Sequence, residues 1–189
     1  TVKDVTSCDG SFAQNVKTFL LNNKVDVIFL VARWKLYATG WILNGRLMKP
    51  NGYVSDNETI GIDEESSTKV LLKALKESLL FLTQEVDSSI NFLLPTPVLP
   101  KIIEKYTLES KNVLTQKDYI KQRSLIVDYI ESLALNSKFN IMDPLELLCP
   151  GKECILFRNS QRIYLDDNHL SPRESTMLLP LFEKVLLQN

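Results

Sequence analysis

The residues best suited to chemistry are Asp166 and His169, three apart in Tyr164-Leu165-Asp166-Asp167-Asn168-His169-Leu170-Ser171-Pro172. His169 is the only histidine of the chain. In acyl transfer an imidazole takes a hydroxyl proton, while a carboxylate fixes the ring's tautomer and stabilises the imidazolium. A turn before a helix brings both groups together from one loop. Asp-x-x-His is a short pattern, and a single histidine in a polar loop is more often an ordinary surface residue. The pair also needs a nucleophile, and the chain displays no serine on a strand-to-helix turn, where a hydrolase or acyltransferase carries it.

The elements that must position this loop follow from apolar spacing. Phe12, Val16, Phe19 and Leu20 predict an amphipathic helix over residues 11–22, capped by Ser11 or Asp9. Residues 25–32 form a short β-branched run that reads as a buried strand. Residues 33–62 read as irregular, with turn signals at Gly40, Gly45, Pro50-Asn51-Gly52 and Gly61 and short extended pieces within 40–47 and 52–62. Long excursions from the end of a buried strand are often functional. A second helix is expected over 65–85, capped near Ser66, with Leu71, Leu75, Leu79 and Leu82 on one face. A second strand over 89–94 is stopped by Pro95-Thr96-Pro97, and 100–106 suggests a short helix. A longer helix over 116–135 turns Tyr119, Ile126, Ile130 and Leu133 inward, and 139–142 forms a third strand ending at Asp143-Pro144. Residues 154–157 and 162–165 resemble a hairpin joined by 158–161. The last helix starts near Pro172, carries Leu178, Leu181, Phe182, Val185 and Leu186 on its apolar stripe, and should kink at Pro180.

Helices alternating with short, continuously apolar strands predict an α/β fold, a three-layer α/β/α sandwich with a parallel sheet. Ligands of open α/β sheets bind at the carboxyl ends of the strands. Three segments follow such ends: Arg33-Trp34-Lys35-Leu36-Tyr37, Pro95-Thr96-Pro97 and Asp143-Pro144.

At 189 residues and 44% hydrophobic content, the chain is long enough for one full domain with a core. Its 22 basic and 23 acidic residues balance, and no Lys/Arg cluster interleaves with aromatics. Nucleic acid is therefore not expected as a partner, nor is an electrostatic membrane patch. The longest apolar run is too short to span a bilayer, and no signal peptide is visible. The chain begins at Thr1, so it is expected to have been processed or excised from something longer. Of the cysteines Cys8, Cys149 and Cys154, the last two bracket the turn-forming Pro150-Gly151-Lys152-Glu153. They read either as a small-loop disulfide of an exported protein or as two unpaired thiols in a cytosolic loop. A zinc site would need Cys8 and His169 to converge on them, and neither metal nor cofactor is expected. Cys8 is left over.

Taken together, these segments resemble a known family. The run 164–172 close after the Cys149/Cys154 pair is similar to the C-terminal motif of SGNH-type hydrolases and acetyltransferases. It looks most like the extracytoplasmic SGNH domains fused to bacterial membrane acyltransferases that O-acetylate cell-surface polysaccharide. Asp26-Val27-Ile28-Phe29-Leu30-Val31-Ala32-Arg33-Trp34-Lys35-Leu36-Tyr37 resembles that family's strand ending in Ala-Arg-Trp with a nearby Tyr. Residues 90–97, Arg123, and Ile141-Met142-Asp143-Pro144 leading to Cys149 fit as well, so the resemblance covers roughly residues 8–186. It implies an SGNH/flavodoxin-like fold, a Cys149–Cys154 disulfide and an oxidising, periplasmic compartment, with a parent protein in the inner membrane.

The departures bear on activity. The family carries Gly-Asp-Ser on its first strand, with the serine as nucleophile, followed by a glycine that donates to the oxyanion hole. Neither block is present. Asp9-Gly10-Ser11 has those residue types in another order after no strand, and Ser11 reads as a helix N-cap. The expectation is one domain over 1–189 whose N-terminal strands, and the serine, lie outside the chain. Ala32-Arg33-Trp34-Lys35 replaces the usual Gly-x-Asn-Asp block, whose asparagine donates to the oxyanion. Arg33 or the indole N–H of Trp34 could substitute; equally, Trp34 could pack in the core and Arg33 pair with a surface carboxylate. Tyr37 could line the acceptor pocket or cover the sheet, and Trp41 could stack on a sugar.

The resemblance implies acetyl transfer to a hydroxyl of an envelope carbohydrate such as lipopolysaccharide, with His169 as base and Asp166 as its orienting acid. The acetyl donor would be relayed by a membrane acyltransferase domain. The alternatives are an SGNH carbohydrate esterase, or a glycan- or partner-binding module that has lost its nucleophile.

Overall fold

The computed structural model describes residues 10–39, 42–43, 46–47, 53–60, 63–101, 103–111, 113–135 and 138–188. Cys8, Asp9 and Trp41, on which the sequence placed readings, lie outside the described residues. Helix α1 spans Gly10–Asn22, which puts Ser11 inside the first turn rather than before it. Strand β1 is Val27–Leu30. Three residues on, the six residues Trp34–Thr39 form helix α2, where the sequence suggested irregular chain. β2 (Ile42–Leu43) and β3 (Arg46–Leu47) pair antiparallel; residues 53–60 contain no strand.

Helix α3 spans Glu64–Glu85. Asp63 is its N-cap, and Ser66 completes a capping box as the reciprocal partner, so two orphan amide donors are satisfied at once. Strand β4 (Ser89–Leu93) is followed by a proline-rich exit. The short helix expected over 100–106 is a single 3-10 turn at Ile103–Lys105. Helix α4 covers Gln116–Ala134 with a Thr115/Asp118 capping box. Then follow β5 (Asn140–Met142), α5 (Leu145–Leu148), β6 (Phe157–Arg158) and β7 (Gln161–Arg162). The hairpin turns tightly at Asn159-Ser160, both at positive φ (50° and 62°), as a two-residue primed turn requires. At the C-terminus a 3-10 segment, Glu174–Leu178, leads into helix α6, Leu179–Leu186. Pro180 stands in the first turn of α6 and starts it rather than kinking it, because its missing N–H is one that a helix leaves unpaired there anyway.

The main sheet is parallel, in the order β1-β4-β5, so the chain has the α/β architecture its alternating pattern predicts. Successive strand residues face opposite layers. Ile28, Leu30, Ile90, Phe92 and Ile141 pack with α3 and α4, against Leu71, Leu75, Leu79, Leu82, Ile126 and Ile130. Val27, Phe29, Leu93 and Met142 pack into the opposite cluster with Leu148, Tyr164, Leu178 and Val185. Phe29 meets Phe182 of α6 at 4.9 Å between ring centroids. One polar residue interrupts the central strand. Asn91 is fully buried, and its burial is offset by donation to the Ser89 carbonyl (2.9 Å) and acceptance from the Asn140 amide (3.0 Å).

Candidate functional site

The loop 164–172 is closed by backbone hydrogen bonds. Tyr164 and Leu170 form an antiparallel bridge, the Leu165 N–H donates to the His169 carbonyl (2.8 Å), and the Ser171 N–H donates to the Ile163 carbonyl (2.8 Å). Within it the Asp166 carboxylate does two jobs. Its Oδ1 accepts the backbone N–H groups of Asn168 (2.8 Å) and His169 (2.7 Å), which folds the turn. Its Oδ2 lies 2.6 Å from His169 Nδ1. An ionised Asp166 therefore holds the neutral ring with its proton on Nδ1 and presents Nε2 as the basic nitrogen. Partial burial acts to raise the Asp166 carboxyl, but the hydrogen bonds from the His169 backbone, its ring and the Asn168 backbone outweigh it. The net effect lowers it below its ordinary value. The His169 side chain remains 61% exposed, so Nε2 can be reached by a reacting hydroxyl.

The loop is fastened to the carboxyl edge of the sheet. Beyond β4, the Leu99 N–H donates to the Asp167 carbonyl at 2.6 Å. The three chemically suggestive segments gather at the same edge. Trp34, at the start of α2, donates its indole N–H to the carbonyl of Leu93 (2.9 Å) and stacks on Phe92 at 4.5 Å. Its single donor is thus engaged at the end of β4, and it packs rather than standing open toward an oxyanion. Arg33 is exposed and makes no hydrogen bond or ion pair among the described residues. Tyr37 is half-buried against the α3 layer, and its carbonyl accepts the Ser67 hydroxyl at 2.5 Å. Among the described residues, neither Arg33 nor Tyr37 makes a hydrogen bond or ion pair with Asp166 or His169. Asp143, at the exit of β5, grips the Arg123 guanidinium of α4 with both oxygens and also accepts the Leu145 N–H (2.8 Å). That guanidinium lies 4.9 Å above the Tyr119 ring.

Cys149 and Cys154 are joined in a disulfide, the first of the two readings the sequence left open. The bridge roots the segment that carries the dyad. Cys154 N–H donates to Leu114 O, Ile155 N–H to Leu148 O and Ile163 N–H to Leu156 O, a backbone relay that ends in the Ile163–Ser171 contact. Gln116 ties the start of α4 to the same loop through the Cys149 carbonyl (2.9 Å). Sequence reasoning missed one residue of consequence, Gln122, whose amide clamps the backbone of Val98. Among the described residues no group of His, Cys, Asp and Glu could hold a metal ion, and no helix is long and apolar enough to cross a membrane.

Comparison with known proteins bears on this geometry. A family model described as SGNH domain (fused to AT3 domains) matches residues 2–184. No curated protein sequence matches the chain. Among solved structures, the periplasmic domain of the Salmonella ser. Paratyphi A lipopolysaccharide acetyltransferase superposes with a TM-score of 0.51 at 14% identity. The match covers 74% of this chain and 53% of that one, so this chain spans about half the length of that structure. At this identity the likeness is one of fold.

Proposed function

The chain belongs to the family of SGNH domains fused to AT3 domains, and on that premise we propose that it supplies the base and orienting acid of an O-acetyltransferase acting on an envelope carbohydrate. The observation that carries this reading is the 2.6 Å contact between His169 Nδ1 and Asp166 Oδ2 on an exposed ring. His169 takes the proton of a serine hydroxyl as the serine attacks the acetyl donor. His169 returns that proton to the donor's leaving group as the acyl-serine forms. A sugar hydroxyl then attacks the acyl-serine, and its proton passes to His169 and from there to the departing serine oxygen. Asp166 holds the ring for both steps and stabilises the imidazolium. Arg33, exposed beyond the end of β1, is the candidate partner for the developing oxyanion or for an anionic acceptor.

In this proposal the nucleophilic serine belongs to a strand outside residues 1–189. Two features of the molecule support that placement. No Gly-Asp-Ser occurs in the chain. In addition, β1 is apolar throughout yet only half-buried along its length, and it ends the sheet among the described residues. A further strand laid against it would bury those side chains and pair the edge that no described strand covers. A periplasmic location, with a membrane acyltransferase domain of the same parent relaying the acetyl group, is part of the same proposal. It draws on the AT3 fusion in the family description and on the disulfide.

The experiment compares the 189-residue chain with its parent polypeptide, using an acetyl ester as donor and an envelope glycan as acceptor. The chain alone should be inactive, and the parent should lose transfer on His169→Ala. Turnover by the 189 residues that disappears on Ser11→Ala would refute the proposal. Hydrolysis by the parent with no acetylated glycan would reassign it as an esterase, and binding without either reaction would mark a module that has lost its nucleophile.

A further inference from the structure

The dyad loop touches the sheet through the exit of β4, and that exit is itself held by one face of α4. Tyr119, Gln122 and Arg123 fall at i, i+3 and i+4, so they project from the same side of the helix. The buried Tyr119 hydroxyl donates to the Pro95 carbonyl at 2.5 Å. Gln122 makes a two-way clamp on Val98. Its Oε1 accepts the Val98 N–H (3.1 Å) and its Nε2 donates to the Val98 carbonyl (2.8 Å). The adjacent residue, Leu99, makes the 2.6 Å bond to the Asp167 carbonyl inside the dyad loop. Pro95, Pro97 and Pro100 fix φ at three positions of this segment and remove three donors from it. The exit therefore has little freedom and few backbone partners, and α4 supplies the ones on its side.

We propose that Gln122, supported by Tyr119, is a positioning residue for the dyad. By holding Val98 it fixes the Leu99 N–H, through which the Asp166–His169 loop is seated at the sheet edge. Gln122 touches neither reacting group, and its effect passes through backbone alone. This inference rests on the dyad reading above, but its test requires no turnover, because His169 is the only histidine and its ring nitrogens can be observed singly.

The test is the ¹⁵N spectrum of His169 in the 189-residue chain, read at the alkaline plateau of a pH series, together with amide exchange. Wild-type protein should show mainly the Nδ1–H tautomer, and Asp166→Asn gives the reference for its loss. Gln122→Met keeps the side chain's bulk and removes both hydrogen bonds. It should speed exchange of the Leu99 amide about tenfold and shift the ring toward Nε2–H, with α3 amides unchanged. Lys121→Met, on the exposed neighbouring position, should change neither. Faster Leu99 exchange with a wild-type tautomer ratio would overturn the proposal, as would no change in either. If Gln122→Met loosens α3 as well, Gln122→Glu decides. It keeps an acceptor for the Val98 N–H and loses the donor, so an intermediate ratio with α3 intact supports the clamp and a wild-type ratio overturns it. Absence of acetyl transfer in the parent protein, with the tautomer shift present, would remove the proposed reaction and leave the clamp standing.

Discussion

The dyad-bearing half of the molecule and the edge formed by α1 and β1 are finished very differently. From Leu114 to Ser171 the chain is stitched by a disulfide, by backbone bonds that step from Cys154 to Ile163, and by a two-oxygen grip of Asp143 on the buried Arg123. Leu148, Cys149, Ile163 and Tyr164 are buried beneath it. At the other edge, β1 is half-buried along its whole length, while α1 leaves Phe12, Val16 and Phe19 in solvent at helical spacing. A catalytic loop must hold a carboxylate and an imidazole to within a fraction of an ångström, which requires rigid support. An edge that receives more polypeptide needs unspent apolar surface instead. Under the proposed function, the contrast separates a loop that holds a candidate base from an edge suited to receive the missing strand.

The largest effect should fall on the dyad itself. In the parent protein, Asp166→Asn should preserve folding and lower acetyl transfer by about 10⁴-fold, because the ring adopts the wrong tautomer; a loss under tenfold would mean that Asp166 only folds the turn. Next, Asp143→Ala leaves the Arg123 guanidinium buried and unpaired. Denaturant unfolding should show a loss of roughly 2–4 kcal/mol, toward the lower end because Asp143 itself reaches solvent. Reduction of the Cys149–Cys154 bridge follows. Its short loop predicts a loss of about 2 kcal/mol, and it should loosen Ile155 and Ile163 amides before those of α3. The smallest effect belongs to the open edge. Phe19→Ser in the 189-residue chain should change stability by no more than about 0.5 kcal/mol, whereas Leu79→Ala in the packed face of α3 should cost roughly 2–5 kcal/mol. Similar costs at the two positions would erase the contrast between the regions.

Much of this was legible in the sequence because burial imposes pattern. Strand β4 is buried on both faces and β1 is apolar throughout, so both read as apolar runs, and the leucine spacing of α3 marks its packed side. Asp166 and His169 were legible because one short loop supplies both the carboxylate and the ring. Features fixed by distant partners were not. The indole N–H of Trp34 is engaged by a carbonyl 59 residues away, and the Gln122 clamp closes on Val98 across 24 residues; neither leaves a local signal. Helix α2 has only six residues, too few to establish an apolar period. Pro180 starts α6 instead of kinking it, a distinction the sequence does not carry because a proline in the first turn of a helix differs from one in its interior only by where the helix begins. The hairpin moved outward from its expected strands because Asn159 and Ser160 accept positive φ, which shortened the turn to two residues.

The central claim is that the His169–Asp166 dyad activates a serine outside these 189 residues. Labelling the parent protein with a fluorophosphonate, followed by peptide mapping, tests this most directly. The account predicts one labelled serine, outside residues 1–189, whose labelling is lost on His169→Ala. Labelling at Ser11 or any other serine of this chain, or labelling that survives the loss of His169, would contradict it.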